Sequence, residues 1–291
     1  MVVHDETMRT RRTHHGSESI SPTAYYTGYV WVHNGLGPGY LATTRGKAYY
    51  HAMRPGTALG RMLGGPVLED VLLARHRLID RLLSTAIESG RVRGVLELAA
   101  GLSPRGLEFA RHYGTEITYV ETDLPAMAAR KYTALRRAGT LGPNHRVESL
   151  DVLGGRDQED FTTVLRHFAR GSGLAVVSEG LLNYLSAEAV GELWSRVHAA
   201  LRPFREGLYL SDLHVSTDRR GPAEAFGARL LGMFVRSGVH FHFTDSTRAR
   251  AALRATGFDR VTVHHPSDFP GVLTGSPSSA DRVRVLAAET R

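Results

Sequence analysis

The sequence predicts an α/β protein built on a mostly parallel sheet, and two observations carry that prediction. From residue 94 onward, short apolar runs of strand length alternate with stretches of helical periodicity. Such alternation makes parallel sheets joined by helical crossovers. The second observation is Gly94–Phe109 (GVLELAAGLSPRGLEF), which reads as a strand, a small-residue turn and a helix start. Val95, Leu96 and Leu98 form the apolar run, and Ala99, Ala100 and Gly101 are small. Pro104 suits the first turn of a helix, where a missing N–H costs nothing, and Leu107, Phe109 and Ala110 supply that helix's apolar positions. A crossover of this kind is where α/β proteins bind nucleotides.

The composition bounds the function classes. A chain of 291 residues suits one large domain, or one domain with a smaller lid. It has no cysteine, which excludes a disulfide framework and a thiolate metal site. No apolar run reaches the length of a membrane span, and the first twenty residues lack the apolar stretch of a secretory signal. The expectation is a soluble, cytoplasmic protein with no membrane partner. The net charge is +7, yet Lys47 and Lys131 are the only lysines. The arginines are scattered, whereas a nucleic-acid surface clusters its basic residues. The excess therefore reads as composition bias first and as attraction for an anionic substrate second, with no nucleic-acid partner.

Taken in order, residues 1–19 read as a disordered tail, with Arg9–His15 part of it. Residues 20–65 read as an N-terminal helical lid. Within it, Ser21–Tyr50 carries Tyr25, Tyr26, Tyr29, Trp31, Tyr40, Tyr49 and Tyr50, interrupted by Gly35, Gly37, Pro38 and Gly39. That is too broken for one long helix, so short helices joined by a turn are expected, packing on the main domain and covering a ligand pocket. The main domain spans 66–291. Pro66 opens a helix that runs to Ser89 and closes at Gly90; Val67, Leu68, Val71, Leu72, Leu78, Ile79, Leu82, Leu83 and Ile87 recur at helical spacing. Arg75 and Arg77 lie within it, Arg77 on a solvated face.

Beyond the organising turn, Ile117–Asp123 is a strand and Ala126–Arg137 a helix ended by Gly139. Arg146–Leu150 is a short strand followed by Asp151 and Val152, and Glu159–Ala169 is a helix. Leu174–Val177 is a buried strand leading into Ser178–Leu185 (SEGLLNYL). Ser186 can cap a helix that runs to Leu201 and stops at Pro203. Gly207–Leu213 is the fifth strand. Ala223–Val235 reads as an extra helix, an insertion at about 222–236. Thr247–Ala255 is the last helix, and Arg260–His264 and Val283–Ala287 are the final strands.

The small residues of the turn bear on the ligand. A dinucleotide fingerprint needs three glycines so that backbone can approach a pyrophosphate. Aligned on Gly101, those sites hold Ala99, Gly101 and Pro104, which argues against NAD. S-adenosylmethionine has no phosphates, and its pattern of a strand acid followed by alternate small residues fits Glu97, Ala99, Gly101 and Ser103. An ordinary βα turn with no ligand fits the same residues. The next strand, ITYVETD, ends in two acids about where a ribose-binding carboxylate belongs. Asp123, at the strand's end, is the first choice and Glu121 the reserve. Both could instead cap the helix that begins near Pro125.

Three stretches together give a resemblance. Glu97–Arg105 (ELAAGLSPR), Tyr119–Leu124 (YVETDL) and Ser178–Leu185 (SEGLLNYL) resemble motifs of the leucine carboxyl methyltransferase-like S-adenosylmethionine-dependent O-methyltransferases. Ser21–Trp31 (SPTAYYTGYVW) is similar to bacterial polyketide-pathway members of the tetracenomycin carboxyl methyltransferase type. The resemblance runs from about Ser21 to the C-terminus. Ser103 departs from it, standing where the family often has aspartate, so that contact is not carried over. The resemblance implies a class I methyltransferase, Rossmann-like, with a seven-stranded sheet whose last strand is antiparallel. It further implies that Arg75 holds the cofactor's carboxylate, Gly101 faces its methionine part and Asp123 its ribose. Asp151 and Val152 would meet the adenine, and Glu179 the methionine amine.

Methyl transfer from a sulfonium is an in-line displacement, so the protein must chiefly position the acceptor and exclude water. A carboxylate acceptor is already ionised and needs only a cation or donors to orient it; Arg45 and Lys47 are candidates, with surface charge the alternative for Lys47. Tyr26, Tyr29 and Tyr184 are further candidates to line the acceptor pocket. A phenol needs a base, and His214, after the fifth strand with Asp212 two residues earlier, is the candidate. His240 and His242 share a face if extended, but no third ligand accompanies them and no metal is expected. The expected acceptor is a small carboxylic acid or phenol, an aromatic polyketide best fitting the resemblance. A peptide C-terminal carboxylate and a non-catalytic binding protein are the alternatives. The sequence is silent on oligomeric state.

Overall fold

The computed structural model describes residues 17–62, 67–154, 159–214, 245–273 and 283–291. Seven strands form one sheet: β1 (Gly94–Leu98), β2 (Thr118–Asp123), β3 (His145–Ser149), β4 (Leu174–Ser178), β5 (Gly207–His214), β6 (Arg260–His264) and β7 (Val283–Thr290). Their spatial order is β3-β2-β1-β4-β5-β7-β6. The first five are parallel to one another, and β7 runs antiparallel to both β5 and β6. This is the sheet that the class I methyltransferase resemblance implied. The direction in which successive strands are added to the sheet reverses between β1 and β4, and the crevice outside the carboxyl ends of strands at such a switch point is where ligands bind.

The period of two sets the layers. In β1, Leu96 and Leu98 enter one core with Phe161, Leu193, Trp194 and Val197; Val95 enters the other with Leu78, Ile79, Leu83 and Phe109. Helix α3 (Leu68–Glu88) and α4 (Arg105–Tyr113) thus cover one face, and α6 (Glu159–Leu165), α7 (Ala187–Leu201) and α8 (Ser246–Ala255) the other. Helix α5 (Pro125–Arg137) connects β2 to β3. Ser186 caps α7 as expected, its side chain accepting from the Ala189 N–H.

The N-terminal region is two helices, α1 (Ser17–His33) and α2 (Thr44–Met62), separated by a single 3-10 turn at Gly39–Leu41. Helix α1 begins at Ser17, inside the span read from the sequence as tail; residues 1–16 lie outside the described residues. Tyr26, Val30, Trp31, Tyr50 and Met53 pack with Leu72 and Leu73 of α3. Helix α1 also lies against the turn after β1. A Cβ added at Gly28 would sit 2.7 Å from the Leu102 Cβ, so glycine is what allows this approach. The insertion at about 222–236, and His240 and His242, lie outside the described residues. Among the described residues, no helix is long and apolar enough to cross a membrane.

Candidate functional site

The turn between β1 and α4 is bent at two points. Gly101 has φ +52°, and Ala99, which carries a Cβ, has φ +50°. A left-handed alanine costs roughly 1–2 kcal/mol and persists only where its surroundings hold it. Here the Ala100 N–H donates to the Thr122 carbonyl at 2.9 Å, and Thr122 Oγ1 donates to the Glu97 carbonyl at 2.9 Å. The Gly101 N–H donates to Asp123 Oδ2 at 2.7 Å, and the Leu124 N–H to Asp123 Oδ1 at 2.7 Å. Asp123 therefore clasps the turn to the end of β2. Burial pushes its carboxyl above the usual aspartate value, against the lowering effect of those two N–H groups. Ser103 is buried, and its hydroxyl accepts from the Arg105 N–H at the start of α4.

Glu121 faces a different environment. It is fully buried between Lys131 Nζ at 2.6 Å and His145 Nε2 at 3.1 Å. Burial raises its pKa, but Lys131 and His145 outweigh burial and hold it below the usual value. Of the two acids at this strand end, Asp123 alone is part of the turn, and Glu121 is spent inside.

A second group of charges lies at the carboxyl ends of β4 and β5. Arg75, on α3, donates from Nε to Glu179 Oε1 at 2.9 Å and from Nη1 to Asp212 Oδ2 at 2.9 Å. Glu179 Oε2 accepts from Arg105 Nη2 at 2.6 Å and lies 2.9 Å from His76 Nδ1. Arg105 also donates to Asp80 and, at 2.7 Å, to Glu97 Oε1, while Tyr119 OH donates to Glu97 Oε2 at 2.7 Å. Trp31 of α1 stacks on the His76 ring, with centroids 4.4 Å apart. Burial works to raise the Glu179 pKa, yet His76, Arg105 and Arg75 hold it well below the ordinary glutamate range. Burial likewise works to lower Arg75, and Asp212 and Glu179 more than offset it.

The sequence-derived candidates thus separate by position. Arg75 and Glu179 are brought together, and Gly101 and Asp123 are joined by a hydrogen bond. Glu97 is 1% exposed, and its two oxygens accept from Arg105 and Tyr119. The strand's pleat turns it toward α3 and α4. Asp151 is exposed just past β3, and Val152 is buried beside it. Tyr26 is buried and stacks on Tyr50 with centroids 6.3 Å apart. Tyr29 is half-buried against Tyr50, and Tyr184 is half-buried in a 3-10 turn (Leu182–Tyr184), close enough to Arg75 to feel its charge. Arg45 is exposed at the start of α2. His214 ends β5, but its side chain lies outside the described residues.

Sequence reasoning missed Asp212, Arg105 and His76 as members of this network. A signal for Asp212 was available, because β1, β2, β4 and β5 each bring an acid to the carboxyl end: Glu97, Asp123, Glu179 and Asp212. Nothing comparable marks Arg105 or His76, whose partners come from distant segments. A groove of about 470 Å³, lined by Arg254, Asp259, Arg260, Val261, Glu289 and Arg291, lies at the other end of the sheet, where Glu289 pairs with Leu208 at the start of β5. It shares no residue with the network. Among the described residues, no cluster of three or more metal-ligating side chains occurs.

Chemically, the crevice presents a clamped turn, a carboxylate able to accept from a vicinal diol, and an adjacent guanidinium–carboxylate pair. A guanidinium binds carboxylates and a carboxylate binds ammonium groups, so Arg75 and Glu179 together complement the zwitterion of an α-amino acid.

Comparison with known proteins gives the same direction. The profile of the leucine carboxyl methyltransferase family matches residues 40–198. A protein of Mycobacterium ulcerans (strain Agy99), provisionally described as an S-adenosyl-L-methionine-dependent methyltransferase, is 31% identical over 133 residues, covering 45% of this chain and 42% of that protein. The matched segments span about half the length of the curated relatives. A crystal structure from Thermobifida fusca YX, provisionally described as a methyltransferase, superimposes with a TM-score of 0.66 at 17% identity, covering 92% of this chain and 94% of that one. PigF, solved with SAH, gives a TM-score of 0.51 at 16% identity over 76% of this chain and 59% of that one. These structural likenesses concern the fold.

Proposed function

The chain belongs to the leucine carboxyl methyltransferase family, and from that premise we propose that it transfers a methyl group from S-adenosylmethionine to an oxygen of a small acceptor. The observation that carries the reading is the placement of Arg75 and Glu179 beside each other at the β4 end, with Asp123 clasping the Gly101 turn at the β2 end. The first pair suits the cofactor's amino-acid group, and Asp123 suits its ribose hydroxyls. The adenine falls to Asp151 and Val152, which follow β3. When bound, S-adenosylmethionine supplies a methyl group already activated on a sulfonium.

What remains for the protein is to hold the acceptor in line and to keep water out. Helix α1 serves the second task, since it closes directly over the turn and brings Tyr25 and Trp31 into the core. The preferred acceptor is a carboxylate of a natural product, an aromatic polyketide being the class that the similarity of Ser21–Trp31 supports. An ionised carboxylate needs no general base at neutral pH. Tyr26, Tyr29 and Tyr184 would supply aromatic surface and hydroxyl donors, and Arg45 a cation at the entrance. For a phenolic acceptor, His214 would be the base.

The test is mass spectrometry of products formed from S-adenosylmethionine and a panel of aromatic acids, phenols and peptides with free C-termini. A methylated small acid that mild alkali returns to the parent acid is the expected product. An alkali-stable ether whose formation needs His214 would replace the carboxylate with a phenol, and methylation of peptides alone would overturn the small-molecule reading.

A further inference from the structure

Asp212 stands at the carboxyl end of β5 with 3% of its surface exposed. It is bound at both oxygens: Oδ2 accepts from Arg75 Nη1 at 2.9 Å, and Oδ1 accepts from the Gly180 N–H at 2.6 Å. Gly180 immediately follows Glu179 and has φ +70°. A Cβ there would lie 2.9 Å from Arg75 Nη2, so the guanidinium packs against the one residue type that leaves room for it. One carboxylate thereby fixes two things: the direction of the arginine and the backbone bend that carries Glu179.

We propose that Asp212 is a positioning residue of the cofactor site, which aims Arg75 and the Glu179–Gly180 bend at the amino-acid arm of S-adenosylmethionine. The inference rests on the cofactor reading given above and adds a residue that the reading did not include. Two competing arrangements explain why an acid is needed. Without Asp212, the Arg75 guanidinium keeps Glu179 as its ion-pair partner among the described residues and can swing about that pair. With an amide in its place, one acceptor is lost whichever way the group is turned. If the amide oxygen faces the Gly180 N–H, the amide NH2 confronts the Arg75 donor; if it faces Arg75, the NH2 confronts Gly180.

The experiment compares two ligands by calorimetry, S-adenosylmethionine and 5′-methylthioadenosine, which has the adenosine but lacks the amino-acid arm. Wild-type protein is measured beside Asp212→Asn and Asp212→Glu, the second keeping the charge but moving it by one methylene. Thermal unfolding reports whether each variant folds. The proposal expects Asp212→Asn to weaken S-adenosylmethionine at least tenfold while 5′-methylthioadenosine changes less than twofold, and Asp212→Glu to show a smaller loss of the same selectivity. In an Arg75→Ala background the Asp212→Asn loss should shrink, leaving only the part carried by the Glu179–Gly180 bend. Equal weakening of both ligands would make Asp212 a general structural residue and overturn the proposal, as would failure of both variants to fold. Wild-type protein that binds neither ligand would instead overturn the cofactor reading itself and the proposal with it. Wild-type protein that binds both ligands equally would remove the role of Arg75, and Asp212's with it, while leaving the adenosine site standing.

Discussion

Removing Arg105 should be strongly destabilising. Its side chain is 0% exposed, and it reaches three carboxylates: Asp80, Glu97 at 2.7 Å and Glu179 at 2.6 Å. Asp80 is partly solvated, but Glu97 and Glu179 have side-chain exposures of only 1% and 7%. Replacing Arg105 by methionine keeps a long, flexible chain and removes the charge. Glu97 then keeps Tyr119 alone, and Glu179 keeps Arg75 and His76. Breaking a buried ion pair from one side costs about 3–5 kcal/mol, because the orphaned charge remains buried. At roughly 2–4 °C per kcal/mol in large domains, the melting temperature should fall by about 6–20 °C.

The loss should also depend on pH in a defined direction. In the folded protein Glu179 is held below its ordinary value of 4.5, so its contribution is complete above that value and fades as pH falls through the depressed one. Arg105→Met raises the Glu179 pKa only part of the way toward 4.5, since Arg75 and His76 remain, so the gap between wild type and variant is constant above the variant's folded value and narrows as pH falls through it. Urea unfolding followed by circular dichroism at pH 7.5 and pH 4 measures both quantities. A loss under about 1 kcal/mol, or a gap that widens as pH falls, would refute the argument that Arg105 neutralises buried carboxylates.

Three further outcomes follow from the same geometry. Gly180→Ala places a Cβ against Arg75 Nη2 at a positive φ, so stability should fall by roughly 1–2 kcal/mol and S-adenosylmethionine affinity several-fold; unchanged affinity in calorimetry would show that Arg75 takes no part in binding. Burial raises Asp123, and on the proposed cofactor reading its protonation removes an acceptor for the ribose, so affinity should begin to fall on the acid side above the ordinary aspartate value of 3.8. A pH series of binding isotherms shows this limb, which Asp123→Asn should abolish at the cost of about tenfold weaker binding near neutrality, roughly one charge-assisted hydrogen bond. Glu121→Gln leaves Lys131 buried without its carboxylate, and should destabilise by about 3–5 kcal/mol while the folded protein keeps its cofactor affinity; lost affinity at full occupancy of the folded state would mean that Glu121 and not Asp123 meets the ribose.

The chain's own pattern settled the elements. Apolar periods of two and of 3.6 place β1, β2, β4, β5 and α3 within a few residues of where they lie, because those periods state which side faces the core. The small residues after β1 likewise announced a tight turn, while the hydrogen bond from the Gly101 N–H to Asp123 was not expected from the sequence. The periods and the turn are local, and local rules reach them. Which acid works in the crevice and which is buried was decided only by tertiary contacts. Glu97, Glu121, Asp123, Glu179 and Asp212 are alike in sequence as acids on or at the ends of strands. The pleat turns Glu97 toward Arg105, and α5 and β3 bring Lys131 and His145 to Glu121. Asp123 is left to hold Gly101, and Asp212 meets an arginine 137 residues away. The desolvation of a charge and the partner that offsets it depend on segments far apart in the chain, and folding alone brings them together.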